Sequence, residues 1–314
     1  MRVVFWGSPE FAVAVLEAVL ASEHEVVGVV TQPPRPGGRG RRERPTPVAR
    51  LAEASGIPLL APRRPRSDAF LRELGALGGD VFLVAAYGSI LPPEALSLPP
   101  GGALNVHASL LPDYRGAAPV TRAILDGRLD TGITIMRMDA GLDTGPICLQ
   151  EAIPIRAGDT AGTLTERLAG LGGRLAVHAL DRLAAGTLVE SRQDDRRATY
   201  AAKVTSEEAA IDWARPAVEI ERSVRAFSPW PGAWTTTRRG ERLKVLQASV
   251  VPTRGEYSAA AGTVVAVDPA PIVIVGEGAL RLDRVQPAAG QPMTGAEWAR
   301  GRRMEPGERL GAEA

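Results

Sequence analysis

Short apolar runs alternate with helix-patterned segments from the first residues to Ala185, and that alternation leaves few folds open. Val3-Val4-Phe5-Trp6 is a strand-like run that stops at Gly7. Ser8 reads as an N-cap, with Pro9 at the first helical position and Glu10 in the first turn, and the helix continues to about Ala21. Val26 to Thr31 is the next strand. A strand, a helix and a strand in so few residues predict parallel strands joined by a crossover helix. The pattern then repeats: helix from Pro47 to Ser55, extended chain from Ile57 to Leu60, helix from Ser67 to Leu77, and a fully apolar strand from Val81 to Ala86. Leu104 to His107 and Ile133 to Met138 read as strands on either side of a helix, Pro119 to Leu125. Ile147 to Ile155 is a candidate edge strand, and an Ala/Leu-rich helix runs from Thr160 to Ala185. Residues 1–187 are therefore expected to form one doubly wound α/β domain.

Beyond that point the pattern changes. Residues 188–203 carry Arg192, Asp194, Asp195, Arg196 and Arg197 with little apolar periodicity, and are expected to be a linker. From 204 to 314 one helix, Ala217 to Ala226, precedes short strands at Leu243–Val251, Gly262–Val267, Ile272–Val275 and Leu280–Val285, separated by Gly and Pro. Such a run predicts a small barrel or sandwich as a second domain.

Composition excludes more than it identifies. The net charge of +1 over 314 residues gives no general attraction to nucleic acid, so any such surface must be a local cluster. A single cysteine, Cys148, excludes an internal disulfide and a cysteine zinc site. No leader or membrane span is expected, since the apolar start breaks at Gly7-Ser8-Pro9 and no later run approaches the length of a span; a cytoplasmic protein is the expectation. No Walker loop, G-x-S-x-G elbow or paired-histidine zinc helix occurs, and Gly7-Ser8-Pro9 is not a dinucleotide fingerprint. No metal is expected.

The informative stretch runs from Asn105 to Gly116: Asn105-Val106-His107-Ala108-Ser109-Leu110-Leu111-Pro112-Asp113-Tyr114-Arg115-Gly116. Asn105 and His107 stand two apart on a strand and so share a face, at the carboxyl end where open α/β sheets hold their ligands. A strand that merely ends in polar residues is the plain alternative. His24 beside a turn and His178 on a helix read as surface structural positions. Further on, Asp143 sits in Asp139-Ala140-Gly141-Leu142-Asp143-Thr144-Gly145, whose plain reading is turn chemistry. If an amide, an imidazole and a carboxylate converged, they would suit acyl transfer: two donors for a developing oxyanion and an acid to orient the imidazole and relay protons.

Together these motifs resemble the folate-dependent formyltransferases. The resemblance implies a Rossmann-like catalytic domain, with Asn105, His107 and Asp143 as the catalytic set. Ser109, Leu110, Leu111 and Pro112 match the folate-binding segment, and Tyr87, Gly88, Ile90 and Leu91 in Tyr87-Gly88-Ser89-Ile90-Leu91-Pro92 match the lining of the pterin pocket. Three further stretches resemble the methionyl-tRNA branch of that family: Thr31 to Val48, Tyr200-Ala201-Ala202-Lys203 with Ile211-Asp212-Trp213, and Arg225 to Ala233. That branch implies an OB-like second domain that helps hold tRNA. Its implied reaction moves the formyl group of 10-formyltetrahydrofolate to the α-amino group of methionyl initiator tRNA, in support of translation initiation. The loop from Gln32 to Pro47 carries Arg35, Arg39, Arg41, Arg42 and Arg44 against one acid, Glu43. Guanidinium groups on a Gly/Pro-bearing loop suit phosphates and unpaired bases, although basic surface loops also occur without a partner. The resemblance aligns Arg39 with the family's key arginine beside the tRNA acceptor end. A monomer is expected. The rival acceptor is an amino-sugar nucleotide, which needs no such basic loop.

Overall fold

The computed structural model describes residues 1–37, 42–252 and 259–311. In chain order it contains β1 (Arg2–Gly7), α1 (Glu10–Leu20), β2 (Glu25–Val30), β3 (Arg35–Gly37), β4 (Arg42–Arg44), α2 (Pro47–Ala54), β5 (Leu59–Leu60), α3 (Asp68–Ala76) and β6 (Val81–Ala85). Then come α4 (Pro93–Leu96), β7 (Ala103–His107), β8 (Arg115–Gly116), α5 (Pro119–Leu125), β9 (Asp130–Arg137), β10 (Ile147–Pro154), α6 (Ala161–Ala184) and β11 (Tyr200–Ala201). The chain forms two compact units. The first comprises Met1–Pro119, Asp130–Pro154 and Thr165–Ala202, and the second comprises Val120–Leu129, Ile155–Leu164 and Lys203–Ala314.

The first unit is built on a seven-stranded sheet in the order β10-β9-β7-β6-β1-β2-β5. Strands β5, β2, β1, β6 and β7 are parallel, whereas at one edge β9 runs antiparallel to β7 and β10 antiparallel to β9. After β1 the chain winds outward through β2 and β5, then returns to the other side of β1 for β6 and β7. That reversal opens a crevice at the carboxyl ends of the central strands, the place where open α/β sheets bind ligands. The run Val3 to Trp6 is fully buried, as a strand covered on both faces must be. Trp6 anchors one layer of the core, edge-on to Tyr87 at 5.0 Å and to Phe70 at 6.0 Å, and tilted against Phe82 at 5.5 Å. Such ring pairs contribute about 0.5–1.5 kcal/mol each beyond their buried area.

Ser8 does not cap α1. Pro9 occupies the N-cap position and makes no side-chain bond. The Ser8 hydroxyl instead donates to the Tyr87 carbonyl at 3.1 Å and accepts from the Gln32 N–H at 3.2 Å, tying together the chain ends that leave β1, β2 and β6. The stretch 188–203, expected as a linker, is packed into the first unit as far as Ala202. Its β11 pairs in parallel with β8, and Gln193 is 5% exposed. The charges of Asp194 and Arg196 that suggested a linker point outward and pair with each other, so they report only the solvent side of that stretch.

In the second unit, α7 (Ala217–Ala226) precedes β12 (Trp234–Thr236), β13 (Arg242–Val251), β14 (Val264–Ala266), β15 (Ile272–Ile274), β16 (Ala279–Pro287), β17 (Met293–Thr294) and α8 (Gly295–Arg302). The strands form an antiparallel sheet in the order β12-β13-β16-β15-β14, with β17 added against β16. Leu243 and Val245 on β13 and Leu280 and Leu282 on β16 alternate inward, as period-two patterning requires, and Val285 is buried beyond an irregularity in the pairing of the two strands. Thr294 and Glu297 form a capping box that starts α8. Among the described residues no helix is long and apolar enough to cross a membrane.

Candidate active site

Asn105 and His107 stand on the carboxyl half of β7, and Asp143 stands on the loop between β9 and β10. The structure brings all three together. Asn105 Nδ2 donates to Asp143 Oδ1 at 3.3 Å, and His107 Nδ1 lies 3.6 Å from Asp143 Oδ2. The His107 and Asp143 side chains are 6% and 13% exposed, so water screens the pair little. On its other edge, His107 Nε2 is 2.9 Å from the Tyr114 carbonyl oxygen. A carbonyl can only accept, so Nε2 carries the proton there and Nδ1 is the ring atom that faces the carboxylate. Asp143 Oδ2 also accepts the Gly116 N–H at 2.9 Å.

The backbone that presents these groups is unusual in two places. Asp143 has φ +55°, a left-handed conformation that aspartate adopts more readily than most residues. Gly145 closes the same loop, and a Cβ there would stand 1.9 Å from the Arg137 carbonyl oxygen, so only glycine fits. Asp139 braces the loop from within, its Oδ1 accepting from the Gly141 N–H at 2.9 Å and the Thr144 hydroxyl at 2.7 Å.

The segment Ser109–Pro112 follows β7 directly. Ser109 is fully buried and donates to the Asp113 carbonyl at 2.6 Å. The Thr134 hydroxyl donates to the Ser109 carbonyl at 2.6 Å and accepts from the Leu111 N–H at 3.1 Å, while Gln150 Nε2 donates to the Leu111 carbonyl at 2.8 Å. Leu111 is buried, and Leu110 and Pro112 are partly so. The segment is thus a rigid shelf beside His107. Around Tyr87 the residues split between two sides. Tyr87 and Leu91 join the Trp6 layer of the core, while Gly88 and Ile90 are exposed. Burial pushes the Tyr87 hydroxyl up to about 12. A recess of about 300 Å³ opens at the carboxyl ends of β2, β5 and β6, lined by Gln32, Pro33, Pro34, Pro62, Arg63, Pro65, Tyr87 and Ser89.

Of the five arginines singled out, Arg39 and Arg41 lie outside the described residues. Arg35 and Arg42 belong to the hairpin of β3 and β4, where Arg35 is opposite Arg44 and Gly37 is opposite Arg42. The Arg44 side chain is exposed. The Thr31 and Thr46 hydroxyls, 2.7 Å apart, close the base of this excursion. His24, expected at the surface, is only 9% exposed, between the Met1 amino group and Asp181.

Sequence reasoning missed the supports of the site. Tyr114, Thr134, Gln150, Gln193 and Thr199 each bond to a segment that bears a candidate residue, Thr199 through its hydroxyl to the Tyr114 N–H at 2.8 Å. Such residues carry no motif of their own, because one side of each bond is a main-chain group that any residue type supplies.

Comparison with known proteins agrees with this architecture. Residues 1–180 match the formyl transferase family model, and residues 203–303 match the model of the formyl transferase C-terminal domain. A methionyl-tRNA formyltransferase of Ectopseudomonas mendocina is 49% identical over 314 residues, covering 99% of this chain and 98% of the relative. One from Thiobacillus denitrificans is 49% identical over 313 residues, covering 99% and 100%. Among solved structures, an N-formyltransferase from Helicobacter canadensis, crystallised with folinic acid and dTDP-3-aminofucose, superposes with a TM-score of 0.66 at 17% identity, covering 90% of this chain and 98% of that one. That likeness concerns the fold. With both family models matched in order and near-full-length relatives close to half identical, the chain belongs to the formyl transferase family.

Proposed function

We infer that this protein transfers the formyl group of 10-formyltetrahydrofolate to the α-amino group of methionyl initiator tRNA. The observation that carries the reading is the convergence of Asn105, His107 and Asp143 at the carboxyl edge of the sheet. The acceptor is inferred from relatives that bear the methionyl-tRNA formyltransferase name at 49% identity over nearly the whole chain.

In this mechanism the neutral amine attacks the formyl carbon, a C–N bond forms, and negative charge develops on the formyl oxygen. Asn105 spends one amide N–H on Asp143 and keeps a second for that oxygen. His107 is held by Tyr114 at Nε2, and Nδ1, when it carries a proton, donates on the side of the carboxylate and joins Asn105 in holding the oxyanion. Asp143 orients the imidazole and, directly or through a water, takes the amine proton. The bond from carbon to N10 then breaks and the proton passes to N10, releasing tetrahydrofolate and formylmethionyl-tRNA. The shelf Ser109–Pro112 and the turn at Tyr87, Gly88, Ile90 and Leu91 are assigned to the folate. The arginines at 35, 39, 41, 42 and 44 are assigned to the tRNA acceptor end. In domain terms we assign catalysis to residues 1–187 with the stretch packed against them as far as Ala202, and the holding of tRNA to residues 204–314. We take the protein to act as a monomer in the cytoplasm, a reading supported by one chain supplying all three side chains and by an aminoacyl-tRNA acceptor.

The test offers labelled formyl donor with methionyl initiator tRNA, elongator tRNA and an amino-sugar nucleotide in parallel. Selective labelling of the initiator tRNA is the expected result. Preferential labelling of the sugar nucleotide would transfer the assignment to that acceptor.

A further inference from the structure

Gln193 lies in the stretch that its neighbours' charges mark as solvent-facing, yet it is 5% exposed and every polar function of its side chain is engaged. Its Nε2 donates to the main-chain carbonyls of Asp143 at 2.9 Å and Gly145 at 2.7 Å. Its Oε1 accepts from Arg115 Nε at 3.1 Å and Nη2 at 2.9 Å. Two amide hydrogens and one carbonyl oxygen are thereby satisfied, as a buried glutamine requires.

The two groups that Gln193 joins bear directly on the Asp143 carboxylate. One is the irregular loop that carries Asp143 in a left-handed conformation, where the carboxylate's position depends on what restrains the main chain. The other is Arg115, whose neighbour Gly116 gives Asp143 Oδ2 its N–H at 2.9 Å. Asp195 holds the same guanidinium, its Oδ1 accepting from Arg115 Nη2 at 2.7 Å. A single amide therefore fixes the carboxylate's backbone relative to the carboxylate's own hydrogen-bond donor.

We propose that Gln193, braced by Arg115, is a positioning residue for formyl transfer, setting the distance of the Asp143 carboxylate from His107 and Asn105. It acts through main-chain oxygens and touches no reacting atom. The inference rests on the reading that Asp143 works in the reaction. Since displacement of a catalytic group by about 1 Å can cost about a hundredfold in rate, the effect belongs in turnover and not in substrate affinity.

The test uses the full-length protein, with Gln193→Glu, Gln193→Ala, Asp143→Asn and the double variant Asp143→Asn/Gln193→Glu. Gln193→Glu keeps the size and the acceptor for Arg115 but turns one carboxylate oxygen toward two carbonyls. We expect kcat with methionyl initiator tRNA to fall by about 10²-fold in Gln193→Glu and about tenfold or more in Gln193→Ala. KM for the formyl donor and for tRNA should stay within about threefold. The double variant should be no slower than Asp143→Asn alone, because both changes act on one carboxylate. Val27→Ala, a change on β2 in the buried core of the first unit that is expected to lower Tm, serves as the control for stability and should leave kcat unaltered. Unchanged kcat in both Gln193 variants while Asp143→Asn is slow would overturn the proposal alone, as would independent, multiplicative losses in the double variant. Unchanged kcat in Asp143→Asn would instead overturn the underlying reading of the site.

Discussion

Asp143→Asn removes one charge and almost no volume, so its consequences follow from hydrogen-bond bookkeeping. The carboxylate accepts from Asn105 Nδ2 through Oδ1 and from the Gly116 N–H through Oδ2, which also faces His107. An amide has one oxygen for these two donors. If that oxygen stays on Gly116, the new NH2 meets the Asn105 NH2, and Asn105 must turn its amide over to offer a carbonyl. The turn restores a hydrogen bond but withdraws the N–H assigned to the formyl oxygen. Loss of one oxyanion donor costs about 10²–10³ in kcat. Loss of the general base costs about 10²–10⁴. Residues that act as a unit are not additive, so the product of the two is an upper bound, and a fall of about 10³–10⁴ is expected. That corresponds to about 4–5.5 kcal/mol of barrier at 1.36 kcal/mol per tenfold. The cost in stability should be smaller, on the order of 1 kcal/mol, the difference between a charge-assisted and a neutral hydrogen bond to Gly116. Single-turnover formylation with labelled donor measures the first quantity, and thermal unfolding the second. A variant that raises only the KM for folate, with kcat preserved, would make Asp143 a ligand-positioning residue and refute the reasoning.

Other outcomes follow from the same geometry. His107→Ala should lower kcat by about 10²–10³-fold. Because the ring is buried and bonded to the Tyr114 carbonyl, it should also cost about 1–3 kcal/mol of stability; near-normal turnover at saturating substrate would remove His107 from the mechanism. Replacing Arg41, Arg42 and Arg44 with Ala should reduce the slope of log affinity for tRNA against log salt by about 2–3, at 0.7–0.9 per lost phosphate contact, for initiator and elongator tRNA alike. An unchanged slope would take those side chains off the tRNA. Arg39→Ala should lower turnover more than tRNA binding while leaving folate affinity intact, and the reverse pattern in a filter-binding and kinetic comparison would count against a positioned contact. The Cys148 thiol is pushed up from 9.0 to about 11, by burial first and by the nearby Glu190 second. At pH 8 it should hold about a hundredfold less thiolate than an ordinary cysteine and alkylate correspondingly slowly; iodoacetamide labelling at the rate of a free thiol would contradict that.

Much of this was legible in one dimension because it depends on local pattern. Apolar runs such as Val3–Trp6 and Val81–Ala85 announce buried parallel strands, since a strand covered on both faces cannot tolerate alternation. The shift to short, turn-bounded strands after Lys203 announces a different architecture. The two-residue spacing of Asn105 and His107 puts them on one side of β7 whatever surrounds them. The sequence could not set the distance from that strand to Asp143, because the 35 residues between His107 and Asp143 can close in many ways and the pairing of β7 with β9 selects one. It also could not assign a partner to Ser8, whose hydroxyl is equally able to cap a helix or to bind two passing main-chain groups, and the packing of three strand ends decided for the second. Gln193 makes the same point for the site. Nothing in Arg192-Gln193-Asp194 separates the buried residue from its solvated neighbours, because its partners are main-chain oxygens 48 and 50 residues away in the chain and a guanidinium 78 residues away. Side-chain chemistry and periodicity are properties of the sequence, whereas the pairing of a polar group with a distant backbone atom comes into being only when the chain has closed.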